Sequence, residues 1–359
     1  MSPRSDPARI VLVRLSHLGD VVLALPLFHA LRERFPRAEL AWLVQPEFAP
    51  LVEGLPDLAR TIRFERRRGL AGWVRLREEL ASFSAELAID AQGNAKSGFA
   101  LAITGAPRRV GLARRDWREK IGRFALTESA ARAHGEHAFE RTLALCRHFG
   151  FEGVPRRDPL LSRDELRSGH EAARGLGLRA GSLLLQLSPA RDVRSWPVAR
   201  AEALVRELAH EGRAVAVLSG PAEVDEGNEL ERRTRDVPLV RHWVGQRGLR
   251  ALAGFFGACA ELGASYLGCD TGPTHLAAAC GLPVTVLCGP HSHLRTGPWP
   301  VARLASESGA APHVALRAAV EPECAPCFAR RCTHREGPVC MAQIDSDRVR
   351  MALAAPART

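Results

Sequence analysis

Residues 9–35 read RIVLVRLSHLGDVVLALPLFHALRERF. Arg9 to Leu15 is a short apolar run of β-forming residues, and Ser16 to Asp20 supplies turn residues. Val21 to Phe35 then spaces its apolar residues at helical intervals, ending before Pro36. This strand, turn and helix unit recurs. Glu39 to Val44 reads as strand, Glu47 to Glu53 and Leu70 to Phe83 as helix, Leu87 to Ala91 as strand and Lys96 to Thr104 as helix. The alternation implies an α/β fold, a mostly parallel sheet covered by helices.

Between residues 153 and 181 the pattern weakens into a Pro-, Gly- and charge-rich stretch with one helical segment, Arg163 to Leu176, and here a domain junction is expected. The alternation then restarts. Strands are expected at Leu183–Leu187, Ala214–Leu218, Ser265–Gly268 and Val284–Cys288, and helices at Ala199–His210, Glu223–Arg235, Leu249–Cys259 and Pro273–Cys280. Two doubly wound, Rossmann-like domains follow, 1–163 and 177–344, with their strand ends across a shared crevice. Neither half carries GxGxxG or GxxxxGK[ST], which argues against a dinucleotide dehydrogenase or a P-loop enzyme.

The chain has 359 residues, 46% apolar and 25% charged, and a net charge of +10, a composition that excludes disorder. Residues 1–163 hold 27 Lys/Arg against 19 Asp/Glu, so the positive potential concentrates in the front half and fits an anionic partner. Only Lys96 and Lys120 are lysines. No run approaches the ~18 apolar residues of a membrane helix, and the first apolar stretch is broken by Arg14 and Asp20. A cytoplasmic protein is expected.

Two segments carry candidate chemistry. In Gly268–Pro290, GCDTGPTHLAAACGLPVTVLCGP, a buried strand ends at Asp270, Thr271 is placed to cap and Pro273 fits the first helical turn. Such an N-terminus presents backbone N–H groups and a positive dipole end to a pyrophosphate. The plainer reading is a well-capped core helix with Asp270 and His275 satisfied locally. In Ser16–Asp20, Gly19 allows close approach of a ligand, and Asp20 is either a helix cap or a carboxylate directed at one.

Together with DAQGNAKS at Asp90–Ser97 and HAFER at His137–Arg141, these segments resemble family 9 glycosyltransferases, the ADP-heptose:lipopolysaccharide heptosyltransferases, over nearly the whole chain. The resemblance implies a GT-B fold, an N-terminal acceptor domain and a C-terminal ADP-sugar domain facing a central cleft. It also implies inverting transfer of L-glycero-D-manno-heptose to Kdo or heptose of the inner core, at the cytoplasmic face of the inner membrane, with no cofactor required for catalysis. Asp20 matches the family's base and Asp270 the carboxylate that holds sugar hydroxyls, while Thr271, Gly272 and His275 match the diphosphate turn. Arg194, in SPARDVRSWP, is the candidate for phosphates and Glu223 for the nucleoside. Either is otherwise a surface charge.

Arg66, Arg67, Arg68, Lys96, His137 and Arg141 are the candidates for the carboxylates and phosphates of the acceptor, since the guanidinium fork donates two parallel bonds. A solvated charge run is the alternative for the three arginines. One departure concerns the last strand, where the family usually reads GPT with its Thr at the phosphates. This chain reads GPHSHLRTGP, and His291 is expected to take that role, or the change to mark a different donor or weakened activity.

Cys324, Cys327, Cys332 and Cys340 form C-x2-C-x4-C-x7-C, a spacing able to close a tetrahedral zinc or iron site, with His334 nearby as a substitute ligand. Free thiols, or a pair that oxidises on isolation, are the alternatives. Asp345 then looks like the cap of a final helix, Arg348 to Ala355, which in GT-B proteins often packs back on the first domain.

A family 9 enzyme using another sugar nucleotide or a protein acceptor is the near alternative. A basic metal-knuckle protein binding nucleic acid is the remote one. It would interleave aromatics with its basic residues, and this chain has one tyrosine and 6% aromatics.

Overall fold

The computed structural model describes residues 6–245, 248–307 and 311–354. The chain divides into two compact units between Leu160 and Leu161.

The first unit holds a six-stranded sheet made of β1 (Arg9–Val13), β2 (Glu39–Val44), β3 (Leu58–Arg63), β4 (Leu87–Asp90), β5 (Arg108–Gly111) and β6 (Glu128–Ser129). Their order is β3-β2-β1-β4-β5-β6, and every pairing is parallel. The central strands are buried along nearly their whole length, as a sheet with both faces covered requires. One core joins Val11 and Val13 of β1 to Leu76 and Leu80 of the helix Leu70–Phe83, and to Ala100 and Leu101 of the helix Ala95–Ile103.

The helix expected over Val21–Phe35 is two helices, Leu18–Val22 and Leu25–Arg34. Pro26 is the reason. It has no N–H and its ring would meet the carbonyl one turn back, so the chain restarts at Ala24 with the proline in the first turn.

The second unit repeats the plan with β7 (Leu183–Gln186), β8 (Val215–Ser219), β9 (Val240–Val244), β10 (Ser265–Cys269), β11 (Val284–Leu287), β12 (Arg303–Leu304) and β13 (His313–Leu316). The order is β12-β13-β11-β10-β7-β8-β9, again all parallel. The helix Arg163–Gly175, expected within the junction, belongs to this unit. It packs on the helix Leu249–Glu261, where Gly169 and Gly254 let the two backbones nearly touch.

The final helix, Ser346–Ala354, is capped as expected, with Asp345 accepting from the N–H of Arg348 at 2.8 Å. Its buried side, however, serves the second unit's core: Val349 is fully buried there with Leu204 and Leu208 of the helix Val198–His210. The Trp196 indole N–H, donated to the Ile344 carbonyl at 2.8 Å, ties the preceding turn to the same core.

In doubly wound sheets ligands bind beyond the carboxyl ends of the strands where the order reverses. That point lies between β1 and β4 in the first unit and between β7 and β10 in the second.

Candidate active site

At the first reversal the loop after β1 is held by the turn after β4. Gln92 Oε1 accepts the N–H groups of Leu15 and Ser16 at 2.7 and 3.3 Å. Asp90, completely buried at the end of β4, accepts from Gln92 and Gly93 at 2.7 and 2.9 Å and so shapes that turn. Burial pushes its carboxyl above the ordinary carboxylate range, against these bonds and the charge of Arg14. Asp20 stands in the first turn of Leu18–Val22. One oxygen accepts from the His17 N–H at 3.2 Å and the other lies 2.6 Å from Nη2 of Arg14, yet the side chain is 43% exposed. It is therefore a cap and an accessible, oriented carboxylate at once.

The acceptor candidates separate into two groups. Arg66, Arg67 and Arg68 form an exposed turn, with Arg68 paired to Glu65 and Arg67 3.6 Å from Glu47. Lys96 is exposed on the first turn of Ala95–Ile103, and Phe99 on that helix meets Trp73 at 4.7 Å, so the two basic groups sit on neighbouring elements. His137 differs from the expectation of an accessible ligand. It is 3% exposed, caps the helix Ala138–His148 and accepts the Phe139 N–H on Nδ1. Arg141, on the same helix, is half-buried.

At the second reversal, Asp270 follows β10 and is 4% exposed. Its Oδ2 accepts from His291 Nδ1 at 2.8 Å and from the Thr296 hydroxyl at 2.7 Å, while Oδ1 lies 3.4 Å from His275 Nε2. Burial opposes its charge, but the two histidines and Thr296 hold the carboxyl well below the usual range. A carboxylate only accepts, so His291 carries its proton on Nδ1. His291 is thus committed to Asp270, and Thr296 brings a threonine hydroxyl to the same point. His275 is buried, with Nδ1 left without a hydrogen-bond partner among the described residues.

Arg194 lies on the loop after β7. Its Nη1 donates to the Asp270 carbonyl at 2.7 Å, and Nε and Nη2 grip Asp192 at 2.9 and 2.6 Å. The candidate phosphate-binding guanidinium is therefore already paired with Asp192, with two of its five N–H donors left over. Bonding to Arg194 overcomes the burial of Asp192 and holds that carboxyl low.

Thr271 occupies the expected N-cap of Gly272–Ala279 in extended conformation, but its hydroxyl makes no capping bond. The Thr274 hydroxyl bonds the Cys269 carbonyl instead. Gly268 permits this, since a Cβ there would meet Tyr266 and Thr274 at 2.9 to 3.2 Å. Glu223 occupies the N-cap position of Val224–Arg233 without a side-chain capping bond and instead accepts the Gly220 N–H at 2.8 Å; burial raises its carboxyl.

Residues 73–325 match the family model described as glycosyltransferase family 9 (heptosyltransferase). The chain belongs to glycosyltransferase family 9. It is 27% identical to lipopolysaccharide heptosyltransferase 1 of Pseudomonas aeruginosa, over 97% of each chain. Among solved structures it is similar to the family 9 glycosyl transferase of Veillonella parvula, with a TM-score of 0.77, 19% identity and 96% of each chain covered. It is also similar to Escherichia coli heptosyltransferase WaaC with ADP, with a TM-score of 0.69, 20% identity and 96% and 98% covered. The two parallel sheets are those of a GT-B glycosyltransferase.

In this family 9 member the sequence did not single out Asp192 or Thr296, and Asp90 entered only as the first residue of the segment Asp90–Ser97. Asp192 is two residues from Arg194, and that short acidic–basic spacing was the one available signal. Cys324, Cys327 and Cys332 are exposed and Cys340 is buried, all as free thiols. They line one pocket with His334, Val193 and Pro290. Among the described residues no group of three or more His, Cys, Asp or Glu side chains is arranged to hold a metal ion.

Proposed function

We propose that the protein transfers heptose from ADP-L-glycero-D-manno-heptose, with inversion, to a Kdo or heptose hydroxyl of the lipopolysaccharide inner core. The observation that carries this reading is the cluster around Asp270, a buried carboxylate kept ionised by His275, His291 and Thr296 beside a helix N-terminus. A fixed carboxylate of this kind accepts bonds from sugar hydroxyls, and the neighbouring helix end and Arg194 favour a diphosphate. The similarity to a lipopolysaccharide heptosyltransferase over the full chain supports the choice of donor.

In the reaction, Asp20 takes the proton of the acceptor hydroxyl as that oxygen bonds to the anomeric carbon. The bond from that carbon to the phosphate oxygen breaks, and its electrons leave with ADP. Arg194 and the N-terminus of Gly272–Ala279 stabilise the charge that develops there. Thr271, Gly272 and His275 hold the diphosphate, and Glu223 the nucleoside. Calorimetric titration with ADP and ADP-heptose beside GDP and UDP tests the donor. Adenine-selective binding is expected; preference for another base overturns the ADP-heptose assignment.

Arg66, Arg67 and Lys96 are assigned to the anionic acceptor. Of the nine large apolar side chains exposed among the described residues, Leu70 and Val74 lie on the helix that follows the arginine turn, Phe99 on the helix of Lys96, and Ile121 and Phe124 on the turn Lys120–Ala125 that packs against it. Arg114, Arg115, Arg118 and Lys120 are exposed beside them. Exposed apolar and basic side chains on neighbouring elements suit an anionic lipid surface, and we assign peripheral attachment to the inner membrane on that ground. No helix of the described residues is long and apolar enough to cross a membrane. Vesicles with and without anionic lipid test this; equal binding to both refutes it.

We also propose a structural zinc or iron for the cysteine segment, on the ground that Cys324, Cys327, Cys332 and Cys340 line one pocket at a chelating sequence spacing, although they are not already arranged as a metal site. The residues would close around the ion, which takes no part in the chemistry. Metal content of protein purified without chelator, against a variant with the four cysteines changed to serine, decides it.

A further inference from the structure

The cysteine segment reaches the donor carboxylate through one side chain. Phe328 adopts φ +52, a conformation rare for a bulky residue, and its N–H donates to the Pro290 carbonyl at 2.9 Å. Its ring stacks on the His291 imidazole, with centroids 5.5 Å apart and planes 22° from parallel. The Arg295 guanidinium lies over the same ring, 4.5 Å from the Phe328 centroid. His291 in turn donates to Asp270 at 2.8 Å. The loop and the segment are closely packed beneath this stack, since a Cβ on Gly289 would fall 2.6 Å from Met341 Sδ and 2.8 Å from Cys340 Sγ.

We propose that Phe328 is a positioning residue of the donor site, holding His291 against Asp270 so that the cysteine segment and the sugar-binding carboxylate act as one unit. The proposal rests on the reading of Asp270 as the donor's sugar ligand. An imidazole bonded through one nitrogen still rotates about its side-chain torsions, and a flat partner against its face removes that freedom. Leucine fills similar apolar volume but offers no flat face.

The test compares full-length wild type, Phe328→Leu and Phe328→Tyr by calorimetry with ADP and with ADP-heptose, alongside thermal melts. In the leucine variant ADP-heptose affinity is expected to fall roughly two- to tenfold, the worth of one aromatic pair, with ADP affinity unchanged. Tyrosine restores the wild-type value. Equal loss for both ligands, or no loss for either, overturns the proposal.

A second readout is independent of the donor. In 15N-labelled protein the Nδ1-bound proton of His291 is expected to be protected from exchange in wild type and in the tyrosine variant, and to exchange faster in the leucine variant. If wild type bound neither adenine compound, the donor reading would fall on its own. Unchanged exchange of that proton in Phe328→Leu would sink the role of Phe328 whatever the ligand.

Discussion

Arg14 Nη2 lies 2.6 Å from Asp20 Oδ1, and the Nη1 of the same guanidinium donates to the carbonyl of Ala91. One side chain thereby fixes the carboxylate after β1 to the turn after β4. For Asp20→Asn, which keeps the shape and loses the base, turnover is expected to drop by ~10² or more with ADP affinity unchanged. Arg14→Lys keeps a charge without the fork, so a smaller loss is expected. Steady-state rates beside calorimetry check both, and normal turnover in the asparagine variant would leave Asp20 a helix cap.

Asp270 sets an acid limit. Its folded-state carboxyl lies below the ordinary value, so the stability it contributes is full above the unfolded pKa of about 4 and is lost as pH falls toward the folded one. Denaturant melts between pH 3 and 7 are expected to show a decline below about pH 4 that is shallower in Asp270→Asn, which keeps only the parts due to other lowered carboxyls such as Asp192. The variant itself costs about 1–3 kcal/mol at pH 7, because His291 and Thr296 lose a charged acceptor. An identical acid limb in both proteins would refute the assignment.

Asp90 has the opposite sign. Burial raises its carboxyl, so ionisation costs stability as pH rises through the unfolded pKa toward the folded one, and the penalty persists above that. Asp90→Asn keeps an oxygen for the N–H groups of Gln92 and Gly93 and removes the buried charge. It is expected to match or exceed wild type at pH 7. Asp90→Ala abandons both donors and loses about 1–3 kcal/mol. Chemical melts of the two variants check this ordering.

The strands that periodicity found are those buried on both faces, such as β2, expected and observed at Glu39–Val44. Those it missed carry polar side chains: β3 is LARTIR and β9 VRHWV, both at sheet edges where one side of the backbone has no strand neighbour. β5 and β13 are no shorter than β4, which was found, but they read RRVG and HVAL, so charged or polar residues break the apolar run. At the candidate site, strand and turn grammar placed Asp20 and Asp270 at strand-to-helix turns, as observed, while their proposed roles came only from the resemblance. The partners of Asp270 were not legible. His291 and Thr296 come from 21 and 26 residues downstream, and only the β11 crossover brings them to the carboxylate. His137 read as a ligand because a histidine at a helix start looks the same in sequence whether it caps or binds.

The helix Arg163–Gly175 offers a test of the unit boundary. A Cβ on Gly169 would stand 2.2 Å from the Gly254 carbonyl oxygen and 2.9 Å from the Phe255 nitrogen, both backbone atoms of Leu249–Glu261. Glu165 and Arg250 pin the same two helices with a bidentate pair at 2.5 and 2.6 Å, so neither slides easily. Gly169→Ala is expected to cost about 1–3 kcal/mol by forcing them apart, despite alanine's higher helix propensity. Gly175, on the same helix, has no atom within 4 Å of its would-be Cβ, so Gly175→Ala is expected to gain roughly 0.4–1 kcal/mol. Urea denaturation of the pair separates packing from propensity. If both variants were stabilised alike, the close contact would be absent in solution and the helix would not be part of the second unit's core.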